Sequence, residues 1–170
     1  SYLILDSIDR IAYRDTREAG IAQLLRLIES RVDRLNYYEF LHVVFSPKNK
    51  TLWPFLIGPV FSSLRGHDIY TRILKCLVDP KCHSHCVSAI LDNMQYLPDQ
   101  LCSNLFTSLS TQTNTQIQIG ICKVIIGLVN IFPHSNTISV KFLHFVQNHE
   151  KNIEKIHACI LRVFVLLFPS

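Results

Sequence analysis

Long apolar runs are scarce in this sequence, and their scarcity argues against a membrane protein. No run approaches the roughly 20 apolar residues that a helix needs to cross a bilayer. The longest candidate, 156–168, is interrupted by His157 and Arg162. The start of the chain also lacks the charged, apolar and small-residue pattern of a secretion signal. We therefore expect no membrane partner and a cytoplasmic or nuclear location.

Signals of catalysis are equally scarce. The chain has only five glycines, and none of them forms a glycine-rich phosphate cradle or a nucleophile elbow. No two carboxylates have a spacing that suggests paired acid–base work. We expect a non-enzymatic protein without a cofactor.

Charge is also limited, because only 18% of residues are charged whereas 48% are apolar, with a mean hydropathy of +0.21. Either a large core or contact with another molecule accounts for this composition. The chain begins on Ser1 without a methionine and continues with the apolar run 2–5. We expect residues 1–170 to form a single domain excised from a larger protein, and a partner subunit to cover its apolar terminal helices.

Cysteine is present but not in the pattern of a disulfide scaffold, which would be shorter and richer in loops. Three of the six cysteines, together with one histidine, could instead bind metal: Cys82, His85 and Cys86 share a helical face, and Cys76 can approach across the turn at Pro80. These are the soft ligands that zinc prefers. A helix with buried cysteines and exposed histidines explains the same pattern, so zinc remains an alternative. The six cysteines are Cys76, Cys82, Cys86, Cys102, Cys122 and Cys159.

Helical periodicity runs through the whole chain, and no segment has a convincing period of two. The strongest helix is predicted over 116–132, because apolar residues cover most of its circumference. A second helix is predicted over 81–96 and a last one over 151–168. Gly58-Pro59 should kink or split the helix that contains it, and Asn136 or Thr137 should cap the helix that follows Pro133.

A thin polar stripe crosses three of these helices in register. A shift of about 35 positions superimposes the helices that begin near 81, 116 and 151, which is in the range of helical-hairpin repeats. The shift aligns the positions that apolar residues leave uncovered, so the stripes should lie side by side. The predicted stripe residues are His85, Ser88, Asp92, Gly120, Lys123, Gly127, Lys155 and Arg162.

In this period and pattern the chain resembles the HEAT and armadillo-like α-solenoids. The resemblance implies an all-α, right-handed α-α superhelix of about nine or ten helices in four or five hairpins. It also implies a scaffold or adaptor whose second-helix face binds peptides or partner proteins. A compact helical bundle is the alternative fold.

Basic residues outnumber acidic ones along the stripe, so its expected ligand is an acidic or amphipathic helical segment of another protein. Gly120 and Gly127 would let such a ligand approach the backbone, or they pack against a helix of the same fold. The charged residues counted here are Lys81, Lys123, Lys151, Lys155 and Arg162 against Asp92.

The alternative function is a nucleic-acid-associated subunit of a DNA or RNA maintenance complex. Basic residues lie near two aromatic residues, Trp53 and Tyr70, and together they would suit phosphate contacts and base stacking. Solvated charges beside a core tryptophan explain the same residues. The basic edge consists of Lys48, Lys50, Arg65, Arg72 and Lys75.

Overall fold

The computed structural model describes residues 2–29, 34–63 and 67–148, together with Leu161 and Val165. Nine α-helices and no β-strand lie within these residues, which confirms the all-α class. The predicted last helix, 151–168, lies outside the described residues except at Leu161 and Val165, which are helical. The helices are α1 Tyr2–Ala12, α2 Arg17–Glu29, α3 Arg34–Val44, α4 Trp53–Ser63, α5 His67–Val78, α6 His83–Asp92, α7 Leu101–Thr111, α8 Thr115–Ile131 and α9 Asn136–Asn148; two short 3₁₀ helices span Pro47–Leu52 and Met94–Tyr96.

Contacts between alternate helices arrange most of the described chain in two rows. In one row α4 contacts both α2 and α6, and α6 contacts α8. In the other row α7 contacts both α5 and α9. The rows are joined where α5 contacts α6 and where α7 contacts α8, and buried apolar side chains from both rows form one core.

Helices α6 and α8 run parallel. The Cα of Gly120, in the first half of α8, lies against His83 and Val87 in the first half of α6. Gly127, two turns later, lies against Leu91 and the following Met94. Neighbouring residues therefore differ by about 35 positions, which is the offset expected from the sequence repeat.

Helices α7 and α9 are parallel as well, because their starts and their middles are in contact. The Ser135 hydroxyl donates a 2.7 Å hydrogen bond to Asp99 just before α7, and Phe106 of α7 stacks on Phe145 with 5.3 Å between ring centroids. Ser135 also accepts a hydrogen bond from the backbone N–H of Ile138, so it is the N-cap of α9. The predicted cap, Asn136 or Thr137, is wrong because both residues are already helical.

The end of α3 is closed by two side chains that follow it in the chain. The Trp53 indole N–H donates to the carbonyl of Val44 at 2.8 Å, and the Asn49 amide donates to the carbonyl of Val43 at 2.7 Å. The last carbonyls of a helix have no partner within it. The Trp53 bond supplies a partner to the carbonyl of Val44, and the Asn49 bond adds to the one that the carbonyl of Val43 accepts from the backbone N–H of Ser46 at 3.2 Å. They fix the 3₁₀ helix, and hence the start of α4, against the core.

Helix α4 continues through Pro59 to Ser63, so the predicted split at Gly58-Pro59 is wrong. Contacts from the segment after α6 support this helix on the side of Gly58. The Asn93 amide donates to the carbonyl of Pro54 at 3.1 Å, and the Tyr96 ring packs against Gly58, where a side chain would leave no room for it. External packing holds the helix together where proline removes a backbone donor.

The helix predicted over 81–96 is shorter in the structure, because α6 spans His83–Asp92 and a 3₁₀ helix follows. Asn93 explains this end. Its side-chain amide donates to the Ala89 carbonyl at 2.8 Å, while its backbone N–H bonds to Ile90 instead. A side chain that competes for a helical carbonyl in this way favours a change from α to 3₁₀ geometry.

Candidate functional site: the polar stripe of α6 and α8

The polar stripe consists of six described positions without a large apolar side chain, which the offset of about 35 residues pairs between the two parallel helices: His85, Ser88 and Asp92 of α6, and Gly120, Lys123 and Gly127 of α8. His85, Ser88, Asp92 and Lys123 are exposed. The parallel register places Ser88 and Lys123 at the same level on adjacent helices. The other two predicted positions, Lys155 and Arg162, lie outside the described residues.

The two glycines of the stripe face α6. They pack against a helix of the same fold, which was one of the two roles that the sequence left open for them. A Cβ on Gly120 would overlap the imidazole of His83 and lie 2.9 Å from Val87. The imidazole is held in this position because its Nδ1 lies 2.6 Å from the Leu77 carbonyl, a distance at which Nδ1–H donates. A Cβ on Gly127 would lie 2.9 Å from the Met94 methyl group. Both glycines bring α6 and α8 close together, and they are not the open floor of a groove.

Apolar side chains border the exposed part of the stripe, which the sequence pattern did not show. Ile119 of α8 is 44% exposed and Leu91 of α6 is 38% exposed. Tyr96, in the 3₁₀ helix that follows α6, and Ile131, the last residue of α8, are also exposed. A helical wheel of α8 places Ile119 beside Gly120 and Lys123, at the edge of the apolar surface of the helix. This placement could have indicated from the sequence that Ile119 is exposed. The two helices therefore expose polar and apolar side chains together.

The cysteines proposed as zinc ligands are thiols buried at the α5–α6 turn. Each donates to a backbone carbonyl: Cys76 to Phe45 at 3.3 Å, Cys82 to Cys76 at 3.4 Å and Cys86 to Ile73 at 3.7 Å. His85, by contrast, is exposed. No group of three or more potential ligands within the described chain is arranged to hold a metal ion. The observed role of these thiols is to donate to carbonyls of α5 and of the segment that follows α3.

Burial raises the pKa of these thiols. The pKa of Cys76 rises to about 12 because of burial, with the neighbouring Cys82 and Asp79 adding to the effect. Burial also raises the pKa of Cys82 and, to a greater extent, that of Cys86. Thiolate is the form that binds metals and attacks electrophiles, so the environment favours the unreactive form.

These pKa shifts predict a loss of stability at alkaline pH. The unfolded Cys76 thiol ionises near pH 9.0 and the folded one near pH 12, so between these values the native state binds more protons than the unfolded state. The free energy of unfolding should therefore fall as pH rises from about 9 towards about 12. Below that range the thiol is protonated in both states, so Cys76 does not contribute to the dependence of stability on pH. Urea titrations across this range measure the slope. Other groups titrate here too, so the comparison is with Cys76→Ala, which should show a shallower fall; an unchanged slope would contradict the assignment.

The basic edge considered for nucleic-acid binding lacks its main stacking group. Trp53 is 1% exposed and its N–H is bonded to Val44, so it is a core residue. Lys48 and Lys75 are exposed, whereas the Lys50 ammonium donates to the carbonyl of Lys81 at 3.3 Å. Arg65 lies outside the described residues. This region therefore fits the alternative explanation, in which solvated charges lie beside a core tryptophan.

The fold places the chain in the class of all-helical proteins, and comparison with known proteins adds no narrower family. No protein-family model matches the sequence, and no match was found among curated proteins or solved structures. Across the described residues, no helix combines the length and apolar character required to span a membrane.

Proposed function

We propose that the chain is a non-catalytic scaffold or adaptor that binds a segment of another protein across the polar stripe. The observation that carries this proposal is that Ser88 and Lys123, which are one repeat offset apart on parallel helices, are both exposed, together with the apolar residues Leu91 and Ile119 of the same two helices. Protein interfaces commonly combine apolar contact with a few polar groups that fix orientation.

A solenoid of the HEAT or armadillo-like kind is the architecture that we propose for this scaffold. Its support is the repeated parallel arrangement: α6 with α8, and α7 with α9, each pair offset by about 35 positions. In such arrays each hairpin contacts mainly its neighbours, and corresponding helices line an extended surface. In a compact helical bundle, neighbouring helices of both rows need not differ by the same number of positions in the sequence.

The ligand proposed for the stripe is an acidic or amphipathic helix. Among the described residues of the stripe and its flank, Lys81 and Lys123 are opposed by Asp92. An amphipathic helix could place apolar residues against Ile119 and Leu91 and a carboxylate near Lys123. The apolar contacts would contribute most of the affinity, and the charge would fix the orientation.

Lys123→Glu should therefore reduce partner binding by about tenfold or more, because it places a like charge opposite the partner's carboxylates. The measurement is quantitative mass spectrometry of proteins that co-purify with the tagged chain. The matched control is Lys75→Glu, which makes the same charge change at an exposed position of α5. Partners should be lost with Lys123→Glu and retained with Lys75→Glu, while both variants keep the wild-type thermal midpoint. A set of partners that responds equally to the two variants would contradict the proposal.

A further inference from the structure

We draw no further inference here: the strongest candidate, the apolar surface patch that Val140 and Leu143 form on the exposed side of α9, carries none, because nothing in the described part of the structure shows what covers it.

Discussion

Replacing Trp53 with alanine should lower the free energy of unfolding by about 3–5 kcal/mol. The indole is 1% exposed, and its N–H donates to the carbonyl of Val44 at 2.8 Å. The substitution leaves a cavity in the core and removes a hydrogen-bond donor from a buried helix end, and both effects destabilise the native state. Urea titration followed by far-ultraviolet circular dichroism measures the loss, because Trp53 is the only tryptophan and its fluorescence disappears with it.

Two further variants separate the causes of this loss. Trp53→Phe keeps most of the apolar volume but removes the N–H, so it should cost less than alanine, about 1–3 kcal/mol. Tyr13→Ala removes an aromatic ring that is 72% exposed, and its cost should stay within about 0.5 kcal/mol. Similar costs for Trp53→Ala and Tyr13→Ala would show that the indole is not part of the core.

Helix α8 shows how much of the fold could be predicted from the sequence. Its apolar residues cover most of the helical circumference, and such a helix is stable only when other helices surround it. The predicted range, 116–132, differs by one residue at each end from Thr115–Ile131. The start is fixed by Asn114, whose side chain accepts hydrogen bonds from the N–H groups of Gln116 and Ile117. Periodicity was sufficient to find this helix because it acts within the helix itself.

The elements that differed from prediction depend on partners distant in the chain. The end of α6 is set by the Asn93 amide, which bonds to Ala89 of its own helix and to Pro54 of α4. The same contact supports α4, which continues through Pro59 although Gly58-Pro59 was expected to kink or split it. A sequence pattern gives the preference of a segment in isolation, and tertiary hydrogen bonds of this kind override that preference.

The polar stripe was predictable in position but not in composition. The offset of about 35 positions aligned α6 with α8 in the register that the structure has. A helical wheel, however, shows only that a position lacks a large apolar side chain and does not show what lies opposite. Ser88 and Lys123 face solvent, whereas Gly120 faces the His83 ring. A position that faces solvent can be told from one that faces another helix only when the place of the neighbouring helix is known.

Gly120→Ala should lower the free energy of unfolding by about 1–2 kcal/mol, although alanine favours a helix by about 1 kcal/mol over glycine. The new Cβ overlaps the His83 imidazole and lies 2.9 Å from Val87, a stiff β-branched side chain. The ring cannot turn away without losing its contact with the Leu77 carbonyl, at 2.6 Å from Nδ1. Either that hydrogen bond breaks or α6 and α8 move apart. Chemical denaturation of the variant and the wild type measures the difference.

Gly127→Ala is the matched control, since it makes the same change two turns later on the same helix. Its Cβ lies 2.9 Å from the terminal methyl of Met94, the end of a flexible side chain that can move at little cost. The expected result is a stability between unchanged and about 1 kcal/mol higher, because the helical preference of alanine is then opposed only weakly. In a His83→Ala background, the cost of Gly120→Ala should fall by about 1 kcal/mol or more, since the overlapping ring is absent. If Gly120→Ala cost the same in both backgrounds, Gly120 would not face His83, and the parallel register of α6 and α8, on which the polar stripe depends, would lose its support.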